Sequence, residues 1–236
     1  MLQRTNRFLS GIQRQMTGLT GDLVEVGLSV GQVLCEPGEP IRKVYFPHSG
    51  AISKLAVFQD GAEIECVMVG REGVVGAIAT LGFETALTRD VCHVNARAVC
   101  IDARRLYQAC QACPDLRGAF QHYCAWKMSC AIRNGACNGL HGIEPRLCRW
   151  LLTCSDVLEE PEIRLPQDAF AKMLGAQRTS VNPILQRLRA SGLIELARGR
   201  VTIRDRARLQ QRACECYEVN RTAGAQMWLR GARPPL

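Results

Sequence analysis

The sequence predicts an α+β chain in three parts: an N-terminal antiparallel β-roll, one long helix, and a C-terminal helix-turn-helix followed by a small β-hairpin. Three observations carry this expectation. Short β-type segments separated by turn clusters fill most of residues 22–101. The stretch from Pro114 to about Leu140 holds few helix breakers, namely Gly118, Gly135 and Gly139. Residues 165–203 then read as a short helix, a tight turn, a second helix and two short strands.

The elements follow in order. Residues 1–20 are polar and weakly patterned, room for one short helix. Leu28 to Leu34 alternates as a strand does, and Glu36-Pro37-Gly38-Glu39-Pro40 is a turn cluster. Strands are expected at Val44–Pro47 and Gly50–Val57. A third, Glu63–Val69, follows the tight-hairpin signal Asp60-Gly61. Val91 to Ile101 reads as the closing strands and Arg104 to Ala112 as a short helix. Strands at this spacing indicate a roll or sandwich. On the long helix two apolar stripes compete for a dimer seam: Tyr123, Trp126, Cys130, Cys137 and Leu140, or Cys124, Met128, Ile132, Gly135 and Gly139. Glu144 to Leu152 restarts a helix, Asp156 to Pro161 reads as an acidic linker, and Thr222 to Leu236 as a disordered end.

In the C-terminal part, Pro166 and Asp168 suit a helix start, Phe170 and Leu174 share a face, and Gly175 supplies the stop. The second helix runs from about Gln177 to Ala190. Its Val181, Ile184, Leu185 and Leu188 fall at i, i+3, i+4 and i+7, a continuous apolar stripe. Arg178, Asn182, Gln186 and Arg189 lie opposite, with Thr179 beside them, an outer face suited to a major groove. The hairpin Leu193–Leu196 and Val201–Ile203 carries Arg198 and Arg200 in its turn. Residues 163–212 hold eleven Arg and Lys against three acids, a net of +8. The whole chain is also +8, so the excess is confined to this segment, an electrostatic footprint for a polyanion.

The run Leu165-Pro-Gln-Asp-Ala-Phe-Ala-Lys-Met-Leu-Gly-Ala-Gln-Arg-Thr-Ser-Val181 resembles the winged helix-turn-helix of the Crp–Fnr family of bacterial transcription regulators. Pro37-Gly-Glu-Pro-Ile41, Val44-Tyr-Phe-Pro-His-Ser-Gly50 and Val69-Gly-Arg-Glu-Gly73 resemble the order of its cyclic-nucleotide-binding-like β-roll. The likeness covers roughly residues 20–216. It implies an effector-sensing roll over 1–113, a dimerisation helix over 114–142, a DNA-binding domain over 143–216 and a flexible tail over 217–236. It further implies a homodimer on a palindromic duplex operator, RNA polymerase as a partner, a small-molecule effector, and no membrane.

Residue by residue, Arg178 matches the family's guanine-pairing arginine and Thr179 its neighbouring base reader. Gln177, Ser180, Asn182, Gln186 and Arg189 complete the expected readers, and Arg198 and Arg200 the phosphate contacts. A third family reader falls on Pro183, which cannot donate, so Asn182 is the expected substitute. In members that bind cyclic AMP, a carboxylate meets the ribose and an arginine the phosphate. Here Gly73-Val74-Val75-Gly76 puts Val74 at the carboxylate position, and the nearest arginine, Arg89, precedes Asp90. The resemblance therefore implies a retained fold with a lost or changed ligand, or a roll that serves only as a structural platform.

Composition limits the alternatives. No apolar run approaches the roughly 20 residues that span a bilayer, and the N-terminus lacks a signal-like apolar stretch, so a soluble, cytoplasmic protein is expected. No nucleophile elbow, P-loop or dinucleotide fingerprint occurs, and an enzyme is not expected. Thirteen cysteines are scattered through the predicted elements. They read as buried thiols, with no cofactor and no metal set, since Cys110-x-x-Cys113 and Cys214-x-Cys216 each offer two ligands only and the four histidines are isolated. Cys130 and Cys137, seven apart on one helix, are the candidate thiol sensor. The competing function class is a ligand-binding or thiol-sensing module acting through protein contacts.

Overall fold

The computed structural model describes residues 5–165 and 167–230. Helix α1 (Arg7–Gly11) opens it, capped by Asn6, whose side chain accepts from Leu9 N and donates to the Pro47 and Gly73 carbonyls. Phe8 of this helix is buried against Phe120 and Tyr123, so the N-terminal segment is packed on the core. Seven strands build the roll: β1 (Val24–Leu28), β2 (Val33–Cys35), β3 (Lys43–Pro47), β4 (Ala51–Val57), β5 (Glu63–Val69), β6 (Arg89–Val94) and β7 (Ala96–Asp102). They form two antiparallel sheets, β1-β7-β3 and β2-β6-β4-β5. Asp60-Gly61 turns the β4–β5 hairpin as expected, with Gly61 left-handed at φ 81° and Asp60 accepting from Ala62 N.

Helix α2 (Ala103–Ala112) is capped by Asp102, and α3 runs from Pro114 to Leu140, the bounds expected from the breakers. Pro114 occupies the first helical position, where its missing N–H is one the helix leaves unbonded anyway. After a two-residue turn α4 (Ile143–Leu158) begins the C-terminal domain, followed by β8 (Glu162–Ile163), α5 (Gln167–Leu174), α6 (Arg178–Ala190), β9 (Ile194–Ala197), β10 (Arg200–Ile203), α7 (Arg206–Arg212) and α8 (Cys216–Arg230). The predicted stripe of α6 is buried in full: Val181, Ile184, Leu185 and Leu188 join Phe170, Leu174, Leu147 and Leu151 in one core.

Four expectations are corrected. The Leu28–Leu34 alternation is split, because Gly31 turns left-handed (φ 83°) and donates to the Cys92 carbonyl, separating β1 from β2. The linker expected from Asp156 begins only after Leu158, where Glu159 leaves the helix at φ 57°. The hairpin gains a third strand, since β8 pairs with β10 through Ile163 and Val201. The tail expected at 217–236 is helical through Arg230. Its residues Tyr217 and Gly224 are buried against α4 and α3, contacts that local sequence does not reveal. Residues 231–236, like Pro166, lie outside the described residues.

Candidate nucleic-acid interface and effector cavity

Helix α6 presents to solvent what the sequence assigned to it. Gln177 is its N-cap, Arg178 and Thr179 stand exposed on its first turn, and Ser180 and Asn182 are half-buried. Gln186 and Arg189 follow on the same outer side, also exposed. Pro183 sits inside the helix, which nevertheless continues to Ala190. The β9–β10 turn places Arg198 and a left-handed Gly199 (φ 72°) at an exposed tip.

The charge balance changes once the chain is folded. Glu144 of α4 accepts from Arg187 at 2.9 Å and from Arg212 at 3.0 Å, and these two guanidiniums hold its carboxyl below the usual carboxylate range. Glu162 of β8 pairs with Arg164 at 2.8 Å and with Arg200 at 3.5 Å, and Asp156 pairs with Arg206. Counted over residues 143–212, thirteen Arg and Lys meet eight acids, a net of +5. Arg178 and Arg189 on the outer face of α6 and Arg198 at the tip stand exposed to solvent. Arg200 is partly neutralised by Glu162, a carboxylate just outside the segment whose charge the sequence singled out.

In the roll, the candidate effector residues separate. Tyr123 of α3 donates its hydroxyl to the Val74 carbonyl at 2.9 Å and accepts from Val74 N at 2.8 Å, drawing the Val74 backbone under the long helix. Val74 is buried there, and a Cβ on Gly73 would lie 2.5 Å from the same hydroxyl. Val75 and Gly76 line a cavity of about 300 Å³ together with Cys35, Glu39, Arg42, Lys43 and Asp90. Gly76 must be glycine at φ 80°, with its pro-Cβ position 2.9 Å from the Lys43 carbonyl. Arg89 and Asp90 are successive strand residues and therefore face opposite ways. Asp90 turns inward onto Lys54 (2.6 Å) and lines the cavity. Arg89 turns outward onto Glu36 (2.8 Å) and Glu63. Of the five candidate effector residues, the structure brings Val75 and Gly76 to the cavity and places Gly73, Val74 and Arg89 outside its lining.

The thiol candidates are also displaced from the expected seam. Cys130 and Cys137 are buried within the chain's own fold, and burial pushes the Cys130 thiol up, away from the reactive thiolate form. Burial likewise raises Cys110 and Cys148 to about 12, the behaviour of packing thiols. Cys137 instead meets Cys214, Cys216 and His141. The sequence reading missed this grouping because it weighed each short cysteine spacing alone. The i, i+4 spacing of Cys137 and His141 was the available signal.

Comparison with known proteins agrees with this anatomy. A family model described as the cyclic nucleotide-binding domain matches residues 25–113, and one described as the Crp-like helix-turn-helix domain matches residues 145–212. Together they take in about two thirds of the chain. No curated protein matches at a significant level. Among solved structures, FixK2 of Bradyrhizobium japonicum is similar with a TM-score of 0.71 at 15% identity, over 81% of this chain and 98% of that one. The c-di-GMP-responsive global regulator CLP of Xanthomonas campestris gives a TM-score of 0.67 at 18% identity, over 81% and 98%. A CRP-family transcriptional regulator of Thermus thermophilus gives 0.65 at 20% identity, over 80% and 96%. With a nucleotide-binding-type roll, a long connecting helix and a winged helix-turn-helix each in place, the chain belongs to the Crp–Fnr family of transcription regulators.

Proposed function

We propose that this regulator is a homodimeric, sequence-specific DNA-binding protein that engages RNA polymerase and answers to a small molecule other than cyclic AMP. The observation that carries the reading is the solvent-facing edge of α6. Arg178, Thr179, Gln186 and Arg189 stand exposed there while the opposite stripe is wholly buried, with the arginine-tipped hairpin beside it. A donor-rich helix face next to a cationic tip separates base reading from phosphate anchoring. Dimerisation rests on α3: Met128, Ile132 and Leu140 are 60%, 66% and 82% exposed, an unusual density of bare apolar side chains on one helix. Met128, Ile132, Gly135 and Gly139 form the stripe left open, and the glycines there meet nothing within 4 Å, so a second helix can approach closely. The effector reading rests on the cavity, which Arg89 and Val74 do not line and whose Asp90 carboxylate is held by Lys54, so the residues at the family's ribose and phosphate positions do not meet there.

Selection of bound duplexes from a random pool tests the proposal. A palindrome with half-sites about one helical turn apart is expected, because a two-fold dimer sets its second helices in successive major grooves. No enrichment, or a single unpaired half-site, would overturn it. Calorimetry reporting submicromolar cyclic AMP affinity would remove the effector part alone.

A further inference from the structure

Cys137 lies in the last turn of the long helix, His141 caps it, Cys214 sits in the turn after α7 and Cys216 opens α8. These four residues, drawn from two distant parts of the chain, converge on one point. His141 Nδ1 lies 3.4 Å from Cys137 Sγ and 3.8 Å from Cys216 Sγ, and the sulfurs of Cys137 and Cys214 are 3.5 Å apart. All four ligand atoms fall within 4.8 Å of one another. Around one ion with Zn–S of about 2.3 Å and Zn–N of about 2.0–2.1 Å, tetrahedral ligands stand roughly 3.5–3.8 Å apart. We propose that Cys137, His141, Cys214 and Cys216 are a binding site for a single zinc ion that fastens the α7–α8 turn to the α3–α4 turn.

Three further observations support it. The three cysteines are 1%, 7% and 1% exposed and cluster with one another, apart from the aliphatic cores. The imidazole is oriented from behind: His141 Nε2 lies 3.2 Å from the Glu215 carboxylate, which leaves Nδ1 as the nitrogen facing the sulfurs. Carboxylate support of this kind fixes the tautomer of a metal-binding histidine. Arg146 and Arg149 are buried close enough for their charge to act on Cys137. Arg149 donates to Asn134 and Arg146 to the Leu174 carbonyl, and the Nε of each has no partner among the described residues. Buried guanidiniums want a counter-charge. Three thiolates, a neutral imidazole and a divalent ion carry a net charge of about −1, which supplies it.

The donor set selects the ion. Thiolate and imidazole exclude magnesium and calcium, which take oxygen ligands. An iron–sulfur cluster needs its ligands spread over two or more irons, wider than this grouping. Occupied, the site closes the DNA-binding domain onto the long helix beside the Asn134–Asn220 and Trp126–Gly224 contacts, and so constrains how the winged helix sits on the dimer axis.

The full-length protein, expressed in zinc-supplemented medium and purified without chelator, is the material for the test. Elemental analysis should find about one zinc per chain, lost in a Cys214→Ser/Cys216→Ser double variant and kept in Cys35→Ser. His141→Cys supplies a fourth thiolate, so it should retain the ion and serves as the folding-competent variant if the double variant aggregates. Cobalt in place of zinc should give the intense visible bands and sulfur charge transfer of a tetrahedral thiolate site, altered by His141→Cys. Glu215→Gln should weaken the site up to roughly tenfold. Zinc well below stoichiometric after anaerobic reconstitution, equal zinc in the double variant, or a Cys137–Cys214 disulfide found by mass spectrometry would each overturn the proposal.

Discussion

Arg89 and Asp90 adjoin in sequence and act in opposite directions. One is committed to Glu36 and Glu63 outside the roll, the other to Lys54 inside it. Placing a carboxylate back at position 74 will therefore not recreate a nucleotide site. Val74 is 2% exposed in the core with Phe120 and Tyr123, and a charge there has no partner. Val74→Glu should cost about 3 kcal/mol or more, read as a lower Tm, with no gain in cyclic AMP affinity; a stable variant that binds the nucleotide would refute the cavity's description. On the DNA side, Arg178→Ala should cost roughly 1–3 kcal/mol on the preferred operator and relax one base position per half-site. Arg198→Ala should weaken all duplexes alike and flatten the salt slope by about one charge for each phosphate left without its arginine. Arg200→Ala should do less, because Glu162 already holds that guanidinium. Equal losses on specific and random DNA for Arg178→Ala would reassign it as a phosphate anchor.

At the scale of elements, α3 serves two faces. Leu116, Phe120, Tyr123, Cys130 and Cys137 are turned into the protein, and Met128 and Ile132 away from it. Sequence alone could not choose between these stripes, since both are apolar at helical spacing; α8 packs over the first of them from Trp126 to Cys137 and leaves Leu140 at its end exposed. At Gly224 the two helices lie close enough that a Cβ would stand 2.9 Å from the Trp126 ring. Met128→Asp with Ile132→Asp should give monomers of native fold and sharply weaker DNA binding. Light scattering with circular dichroism checks this, and an unchanged mass would move the seam elsewhere.

Across the whole molecule, the β-roll and the helix-turn-helix domain share one core. Ala51, Leu55 and Met68 of the roll lie in the same apolar cluster as Trp150, Phe170 and Leu185. Ile64 of β5 abuts Gly175 of the helix-turn-helix, whose pro-Cβ position is 2.7 Å from its Cδ1. Beside it, the Glu65 carboxyl lies between Ser53 and the Trp150 indole, which donates at 2.8 Å. Burial raises the Glu65 carboxyl above its ordinary value, against those two hydrogen bonds and the nearby charges of Arg149 and Lys127. The native state then holds a proton at pH values where the unfolded chain has released it. Stability contributed at this site is present at low pH and falls as pH rises from the ordinary carboxylate range through the raised native value. Glu65→Gln keeps both hydrogen bonds without the charge. Its Tm advantage over the parent should be small near pH 4.5 and grow with rising pH; parallel Tm profiles would show that the carboxyl titrates normally.

The sequence by itself determined the parts that local periodicity and turn chemistry specify. Pro114 to Leu140 is a helix because it holds no proline after its first position and only three scattered glycines. Asp60-Gly61 turns a hairpin because glycine accepts a left-handed backbone. The stripe of α6 fixes which of its faces is free, because apolar side chains at 3.6-residue spacing can be buried only together. Tertiary structure alone decided what depends on distant partners. It paired Glu162 with Arg200, turned Arg89 away from the cavity, and laid the expected tail along α3 as a helix. It also drew Cys137 and His141 to Cys214 and Cys216 across more than seventy residues. Chain folding creates such contacts at long sequence separation, where no local pattern records them.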